Sequence, residues 1–174
     1  MHRRALLCCS AILALPMARA FAFGATDWAT LKRTIRSRYP EVRQIDTEAL
    51  HAAFVRGNPP LLIDARTAAE YQVSHLQGAI RAETAAQAVK ALAREPKDRA
   101  IVVYCSVGYR SSALARELMR LGYTQVANLE GSIFEWANKG FPVYRGTEAT
   151  RVVHPYDASW GALLDRKLWS MERP

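Results

Sequence analysis

Apolar residues along this chain follow two rhythms. Some recur every three or four positions between charged residues, and others stand in short unbroken runs. The first spacing marks the buried stripe of a helix. A short run bounded by turn residues marks a strand covered on both faces. Trp28, Leu31 and Ile35 recur with Lys and Arg between them, so Ala25 to Tyr39 is expected to be a short amphipathic helix, ended by Pro40. Val42 to Ile45 is expected as a short strand. Asp46 then caps a helix holding Leu50, Ala53 and Phe54, which stops near Gly57 before the turn Asn58-Pro59-Pro60.

Leu61-Leu62-Ile63 is the next apolar run and stops at Asp64-Ala65-Arg66. A short helix over Thr67 to Tyr71, a turn over Ser74 to Gly78 and a small strand over Ala79 to Arg81 follow. Glu83 to Arg94 is an alanine-rich helix. Ile101 to Tyr104 is the clearest buried strand, and Leu114, Leu118 and Leu121 give Ser112 to Leu121 one apolar face, with Gly122 as its stop. Val126 to Leu129 is another strand, and Ile133 to Asn138 a helix stopped by Gly140. After Arg145 the pattern weakens. Val152 to Pro174, with Tyr156, Trp160, Leu163, Leu164, Leu168 and Trp169, is read as a helix-bearing tail whose aromatics pack back on the domain. Short strands alternating with helices predict an α/β fold, with a mostly parallel sheet and helices on both faces. In such sheets the site lies at the C-terminal ends of the strands, where Asp64 and Cys105 stand.

The 174 residues suffice for one ordinary domain, and half are apolar and 23% charged, which is globular composition. The first 22 residues differ. Arg3 and Arg4 precede an apolar run from Ala5 to Leu15, Pro16 breaks it, and Ala18-Arg19-Ala20 and Ala20-Phe21-Ala22 are small-x-small triplets. This build predicts a secretory signal peptide, too short to span a membrane, with a bacterial periplasm as the expected destination and no stable membrane anchor after cleavage. The alternative is a buried N-terminal helix, against which Pro16 and the triplets stand. The Arg-Arg pair also fits a twin-arginine signal, although the rest of that pattern is weak. Removal of this segment takes three arginines from a net charge of +8, leaving about +5. No dense Lys/Arg run accompanies that charge, so nucleic acid is not an expected partner. Cys8 and Cys9 leave as well, so Cys105 becomes the one cysteine, with no disulfide partner. The few histidines are scattered and lack a cysteine at metal spacing, so neither a metal nor a cofactor is expected.

CSVGYRS, residues 105 to 111, carries the chemistry. A thiol attacks as its thiolate, and a free cysteine is mostly protonated at neutral pH. A strand running into a helix N-terminus points backbone N–H groups and the positive end of the helix dipole at one spot, which favours the thiolate. Gly108 lets the backbone close a ring, Arg110 adds planar donors suited to an oxyanion, and Ser111 and Ser112 are expected to cap the following helix. Four residues separate Cys105 from Arg110. A cysteine phosphatase uses a longer ring, Cys-x5-Arg, to enclose a phosphoryl group. The shorter ring suits one extra sulfur atom on the cysteine.

LLIDARTAAEYQVSHLQGAI, VVYCSVGYRSSALARELMRLGY and LEGSIFEWANKGFPV, in this order, resemble the signature segments of the rhodanese domain, over about 100 residues from near Val42 to near Arg145. The resemblance implies a five-stranded sheet in a domain over residues 42–145. Residues 1–22 are then the signal peptide, 23–41 an N-terminal helical extension and 146–174 the tail. It implies a sulfurtransferase. Cys105 takes sulfane sulfur from a small anionic donor such as thiosulfate, becomes a persulfide and passes the sulfur to cyanide or a thiol. Ser106, Val107, Gly108, Tyr109, Arg110 and Ser111 form the loop that holds the persulfide charge, with Arg110 steering the donor. Val107 and Tyr109 depart from better-known members, Tyr109 adding an aromatic wall. Asp64 and Arg66 match the family's Asp-x-Arg pair, which implies that Asp64 orders the loop by accepting hydrogen bonds, with Arg110 a candidate donor. Glu70 is read as a solvated or ion-paired helix residue, and His75 as a buried histidine holding a turn. The alternatives are a sulfur-carrier or protein-binding module without efficient turnover, and, with less support, a phosphatase, an arsenate reductase or a thiol-disulfide oxidoreductase.

Overall fold

The computed structural model describes residues 27–172. The expected signal peptide, with Cys8 and Cys9, lies outside these residues, as do residues 23–26 of the N-terminal extension. The elements run α1 (Trp28–Arg38), β1 (Arg43–Ile45), α2 (Thr47–Val55), β2 (Leu61–Asp64), α3 (Ala68–Val73), β3 (Ile80–Arg81), α4 (Ala85–Ala91), β4 (Ile101–Tyr104), α5 (Tyr109–Arg120), β5 (Val126–Leu129), α6 (Ser132–Asn138), β6 (Val143–Arg145), β7 (Glu148–Thr150) and α7 (Ala158–Gly161), with a 3-10 turn over Arg166–Leu168.

Strands β1 to β5 form one parallel sheet in the order β1-β5-β4-β2-β3. The chain moves one way across the sheet through α2 and α3, and back through α4 and α5. Right-handed crossovers therefore set these helix pairs on opposite faces. All four residues of the central strand β4 are buried, as an unbroken apolar run requires. Asp64 at the end of β2 pairs in register with Tyr104 at the end of β4, which brings the residues after both strands to one edge of the sheet.

Two local structures differ from the sequence expectation. Helix α5 begins at Tyr109, not Ser112, because Gly108 takes a left-handed φ of 111° and turns the chain into the helix three residues sooner. Ser111 and Ser112 then lie in the first turn and are not its caps, and the Ser112 hydroxyl donates back to the Gly108 carbonyl at 2.7 Å. After α6 the chain makes an antiparallel hairpin, β6 with β7.

Beyond the hairpin, the tail is fastened to the domain by main-chain and side-chain bonds. The Val153 N–H donates to Leu168 O at 2.7 Å and the Ser170 N–H to Val153 O at 3.1 Å. Asn138 at the end of α6 donates to Leu163 O and accepts from the Asp165 N–H, both at 2.9 Å. Val153, Leu164 and Leu168 are buried in the common core.

Candidate active site

Cys105 follows β4 directly and is 1% exposed. Its backbone is pinned to the start of α6. The Cys105 N–H donates to Ser132 Oγ at 3.1 Å, its carbonyl accepts from the Ile133 N–H at 3.2 Å, and the Ser106 carbonyl accepts from the Phe134 N–H at 3.1 Å. Ser132 makes this possible from a left-handed φ of 50°, which few non-glycine residues adopt, and its hydroxyl also donates to Leu129 O at 3.0 Å.

The sulfur sits inside the turn that Gly108 closes. The Gly108 N–H donates to Sγ at 3.2 Å, and Ser111 Oγ lies 3.4 Å away. A side chain at Gly108 would meet both the left-handed backbone and Asn128 Nδ2, 3.3 Å from where its Cβ would stand. Burial pushes the Cys105 thiol up. The charge of Arg110, the Ser111 hydroxyl and N–H, and the Gly108 N–H outweigh it and hold the thiol below its ordinary value. These donors make the thiolate, the attacking form, more accessible than in an ordinary cysteine.

Behind Ser111 runs a chain of two amides, the buried Asn128 and the partly exposed Gln44. Ser111 Oγ donates to Asn128 Oδ1 at 2.6 Å, Asn128 Nδ2 to Gln44 Oε1 at 2.6 Å, and Gln44 Nε2 to Val42 O at 3.2 Å. The chain fixes the Asn128 amide so that its oxygen faces Ser111. Ser111 has one hydroxyl proton and two acceptors for it, Asn128 Oδ1 and the sulfur.

Arg110 stands in the first turn of α5 with its side chain one-third exposed. Its Nη1 and Nη2 donate to Glu70 Oε2 and Oε1 at 3.0 and 2.6 Å, and Nη2 also reaches Ser106 Oγ at 3.0 Å. Ser106 in turn donates to Glu70 Oε1 at 2.9 Å. Two of the five guanidinium N–H groups are left for a reactant. The sequence reading missed Glu70 as a member of the site. Its visible signal was Thr67-x-x-Glu70, a capping box in which Glu70 Oε2 accepts from the Thr67 N–H and hydroxyl. Burial raises the Glu70 carboxyl, but Arg110, then Arg66 and the Thr67 N–H, pull it from 4.5 down to about 2.

Asp64 and Arg66 are fully buried and bonded to each other. The Arg66 N–H, Nε and Nη2 all donate to the Asp64 carboxylate, and Nη2 also donates to Ser74 O at 2.6 Å. The candidate bond from Arg110 to Asp64 is not formed. Arg110 turns to Glu70, because the guanidinium of Arg66 already fills the Asp64 carboxylate from the same strand end. The pair supports the loop after β2 and the start of α3, and so holds Glu70 in place. His75 is buried, stacked on Tyr71 at 4.3 Å, with Nδ1 2.9 Å from Leu76 O, and its backbone pairs with Tyr144.

Of the remaining loop residues, Val107 is buried. Tyr109 lies edge-on to Tyr39 with ring centroids 5.6 Å apart, which ties the loop to the end of α1. The ring on Arg110 itself is that of Tyr156, 4.8 Å from the guanidinium carbon. An open groove of about 380 Å³ between α4 and α5 also reaches Arg110, floored by Ala65, Ala85, Ala113 and Leu114. Among the described residues no group of three or more His, Cys, Asp or Glu is placed to hold a metal ion, and no helix is long and apolar enough to cross a membrane.

A parallel sheet delivering one activated thiol into a ring of N–H, hydroxyl and guanidinium donors defines an α/β domain built around a cysteine nucleophile. The chain belongs to the rhodanese-like domain family, whose family model matches residues 46–139. It is 35% identical over 102 residues to a sulfurtransferase of Allochromatium vinosum, covering 59% of this chain and 94% of that protein. It is also 38% identical over 93 residues to the tRNA uridine(34) hydroxylase of Escherichia fergusonii, covering 48% of this chain but only 26% of that longer protein. Two solved structures share the fold at 20% identity and a TM-score of 0.58. They are the BH2092 protein of Bacillus halodurans (76% of this chain, 98% of that one) and thiosulfate sulfurtransferase of Pseudomonas aeruginosa (76% and 25%).

Proposed function

We propose that this domain is a sulfurtransferase that carries sulfane sulfur as a Cys105 persulfide, with thiosulfate as a donor and a thiol or cyanide as acceptor. The carrying observation is Cys105 Sγ within hydrogen-bond reach of the Gly108 N–H and the Ser111 hydroxyl, beside Arg110. The Cys105 thiolate attacks the outer sulfur of thiosulfate. A new S–S bond forms, the donor's S–S bond breaks, and sulfite leaves with the electron pair. The acceptor's cyanide carbon or thiolate sulfur then attacks the terminal persulfide sulfur, and the thiolate of Cys105 departs. The donors that hold the thiolate also hold the persulfide anion, so the loop serves both halves of the cycle. The free N–H groups of Arg110 meet the anionic end of the donor. The Allochromatium relative supports this reading, since the match spans nearly all of that protein.

Intact mass after thiosulfate, and again after cyanide, tests it. The expected result is a gain of one sulfur atom, lost to cyanide as thiocyanate and absent in Cys105→Ser. No gain with a titratable Cys105 thiol sinks thiosulfate as the donor. A sulfur carrier without efficient turnover is the second reading, favoured by the low exposure of Cys105 and by the engagement of Arg110 with Glu70. Persulfide formed readily but released to cyanide and thiols only over hours is the outcome that selects it. Export is a further part of the proposal, carried by the signal-like residues 1–22. Recovery of the protein from a bacterial periplasmic fraction with its N-terminus intact at Met1 would count against a cleaved signal.

A further inference from the structure

Tyr156 lies outside residues 46–139, the part of the chain that matches the family. Its ring nevertheless stands over the active-site arginine, 4.8 Å from the guanidinium carbon of Arg110. Glu70 and Ser106 take three N–H groups of that guanidinium, and the Tyr156 ring lies against the same group at cation–π distance.

Three features hold the ring there. Tyr156 has a left-handed φ of 68°, a conformation that a non-glycine residue keeps only where its surroundings enforce it. On its N-terminal side, Val153 is locked to Leu168 and Ser170 by main-chain bonds. On its C-terminal side, the Asp157 carboxylate accepts from the Trp160 N–H at 2.8 Å and starts α7. Gly161 of α7 lies so close under the Trp169 ring that a Cβ there would collide with it, and Trp169 Nε1 donates to Leu164 O at 3.0 Å. Both flanks are fixed, and the residue between them is bent towards Arg110. Tyr156 itself is 45% exposed, one side on the guanidinium and the other towards solvent. A buried packing residue would not be left so open.

We propose that Tyr156 is a specificity-determining residue, a cover from the tail that restricts the approach to Cys105 past Arg110 to small anionic reactants. Cys105 is nearly sealed, and Arg110 forms part of the rim around it, so a ring fixed on Arg110 narrows the way in. The proposal deepens the sulfur-transfer reading by naming the size class of the donor, but its test needs only a reactive Cys105.

The test compares two anionic thiol reagents of different size on the full chain carrying Cys8→Ser and Cys9→Ser. Iodoacetate is small and alkylates the thiolate with loss of iodide. The aromatic disulfide 5,5′-dithiobis(2-nitrobenzoate) is bulky. The thiolate forms a mixed disulfide with one half, and the other half leaves as a coloured thiolate. Tyr156→Gly removes the ring while suiting the left-handed backbone, and Tyr156→Phe keeps the ring. Tyr156→Asn, which also tolerates that backbone, takes the place of the glycine variant if the latter loses its circular dichroism. The expected result is a rise of about tenfold in the rate ratio of bulky to small reagent on ring removal, with the phenylalanine variant like the parent; this is the low end of what one lining group contributes to size discrimination. A ratio unchanged in a folded ring-less variant overturns the proposal, as does a phenylalanine variant that behaves like the glycine one. Neither reagent requires sulfur transfer, so a failure here leaves the sulfurtransferase reading standing, and a failure to form persulfide leaves this result intact.

Discussion

Glu70 reaches from α3 to Arg110 on α5 and takes both ends of its guanidinium, at 3.0 and 2.6 Å. Ser106, in the loop that holds Cys105, bonds to both of them. Their pairing turns a flexible arginine into a fixed wall of the site. Glu70→Gln keeps the shape but places an amide NH2 against guanidinium donors. We expect a loss of about 1–3 kcal/mol, the usual cost of breaking a buried charge-assisted bond. The urea midpoint of the variant checks it, and an unchanged midpoint would mean that desolvation of the pair cancels its attraction.

Acid should find the same pair. The Glu70 carboxyl lies at about 2 in the folded protein against an ordinary 4.5. The unfolded chain therefore binds the extra proton between those values, and stability falls as pH drops from about 4.5 towards 2. Above pH 4.5 the contribution is complete. Thermal midpoints of the parent and of Glu70→Gln should converge across that window. Curves that run parallel from pH 5 to 2 would show that Glu70 is not depressed.

Ser111 and Asn128 predict thiol shifts of opposite sign. Ser111→Ala removes a donor to the sulfur and should raise the apparent thiol pKa. Asn128→Ala removes the competing acceptor at 2.6 Å, frees the Ser111 proton for the sulfur and should lower it. Each shift should be roughly one pH unit or less, since a hydrogen bond contributes about 1 kcal/mol and one unit is 1.36 kcal/mol. The pH profile of Cys105 alkylation by iodoacetamide, in the background lacking Cys8 and Cys9, reads both. Shifts of the same sign would mean that Asn128 supports the thiolate instead of competing for Ser111.

Gly161→Ala tests the anchoring of the tail. The added methyl group collides with the Trp169 ring and with Pro155, and overpacking of this kind typically costs about 1–3 kcal/mol. We expect a lower thermal midpoint and a red-shifted tryptophan emission as Trp169 gives way. A variant with both unchanged would show that the tail has room that the packing denies.

What the sequence disclosed follows from how far apart interacting residues lie along the chain. The sheet was legible because its central strands are local apolar runs between helical stretches, and Ile101 to Tyr104 shows this most plainly. Cys105, Gly108 and Arg110 were legible because one loop carries all three. Glu70 was hidden behind its local duty as a capping-box residue, and its bond to Arg110 exists only once α3 docks beside the loop. Asn128 and Gln44 sit on β5 and β1, where a polar residue in a short strand gives no sign of its neighbour across the sheet. Arg110 was one candidate donor to Asp64, but Arg66, two residues on, takes that carboxylate for a local reason: it already reaches it. The hairpin β6–β7 escaped because three-residue strands are too short to display alternation.

The fully buried pair of Asp64 and Arg66 gives the protein two electrostatic regimes. Dissolved ions screen charges over about 10 Å at 0.1 M, but only where solvent reaches them. No solvent reaches this pair. The footing of α3, and with it the position of Glu70, is therefore indifferent to ionic strength. Arg110 is one-third exposed and sits within the range of dissolved ions, so its pull on an anionic reactant weakens as salt rises. Brine would dull the attraction of the site without loosening the frame that aims it.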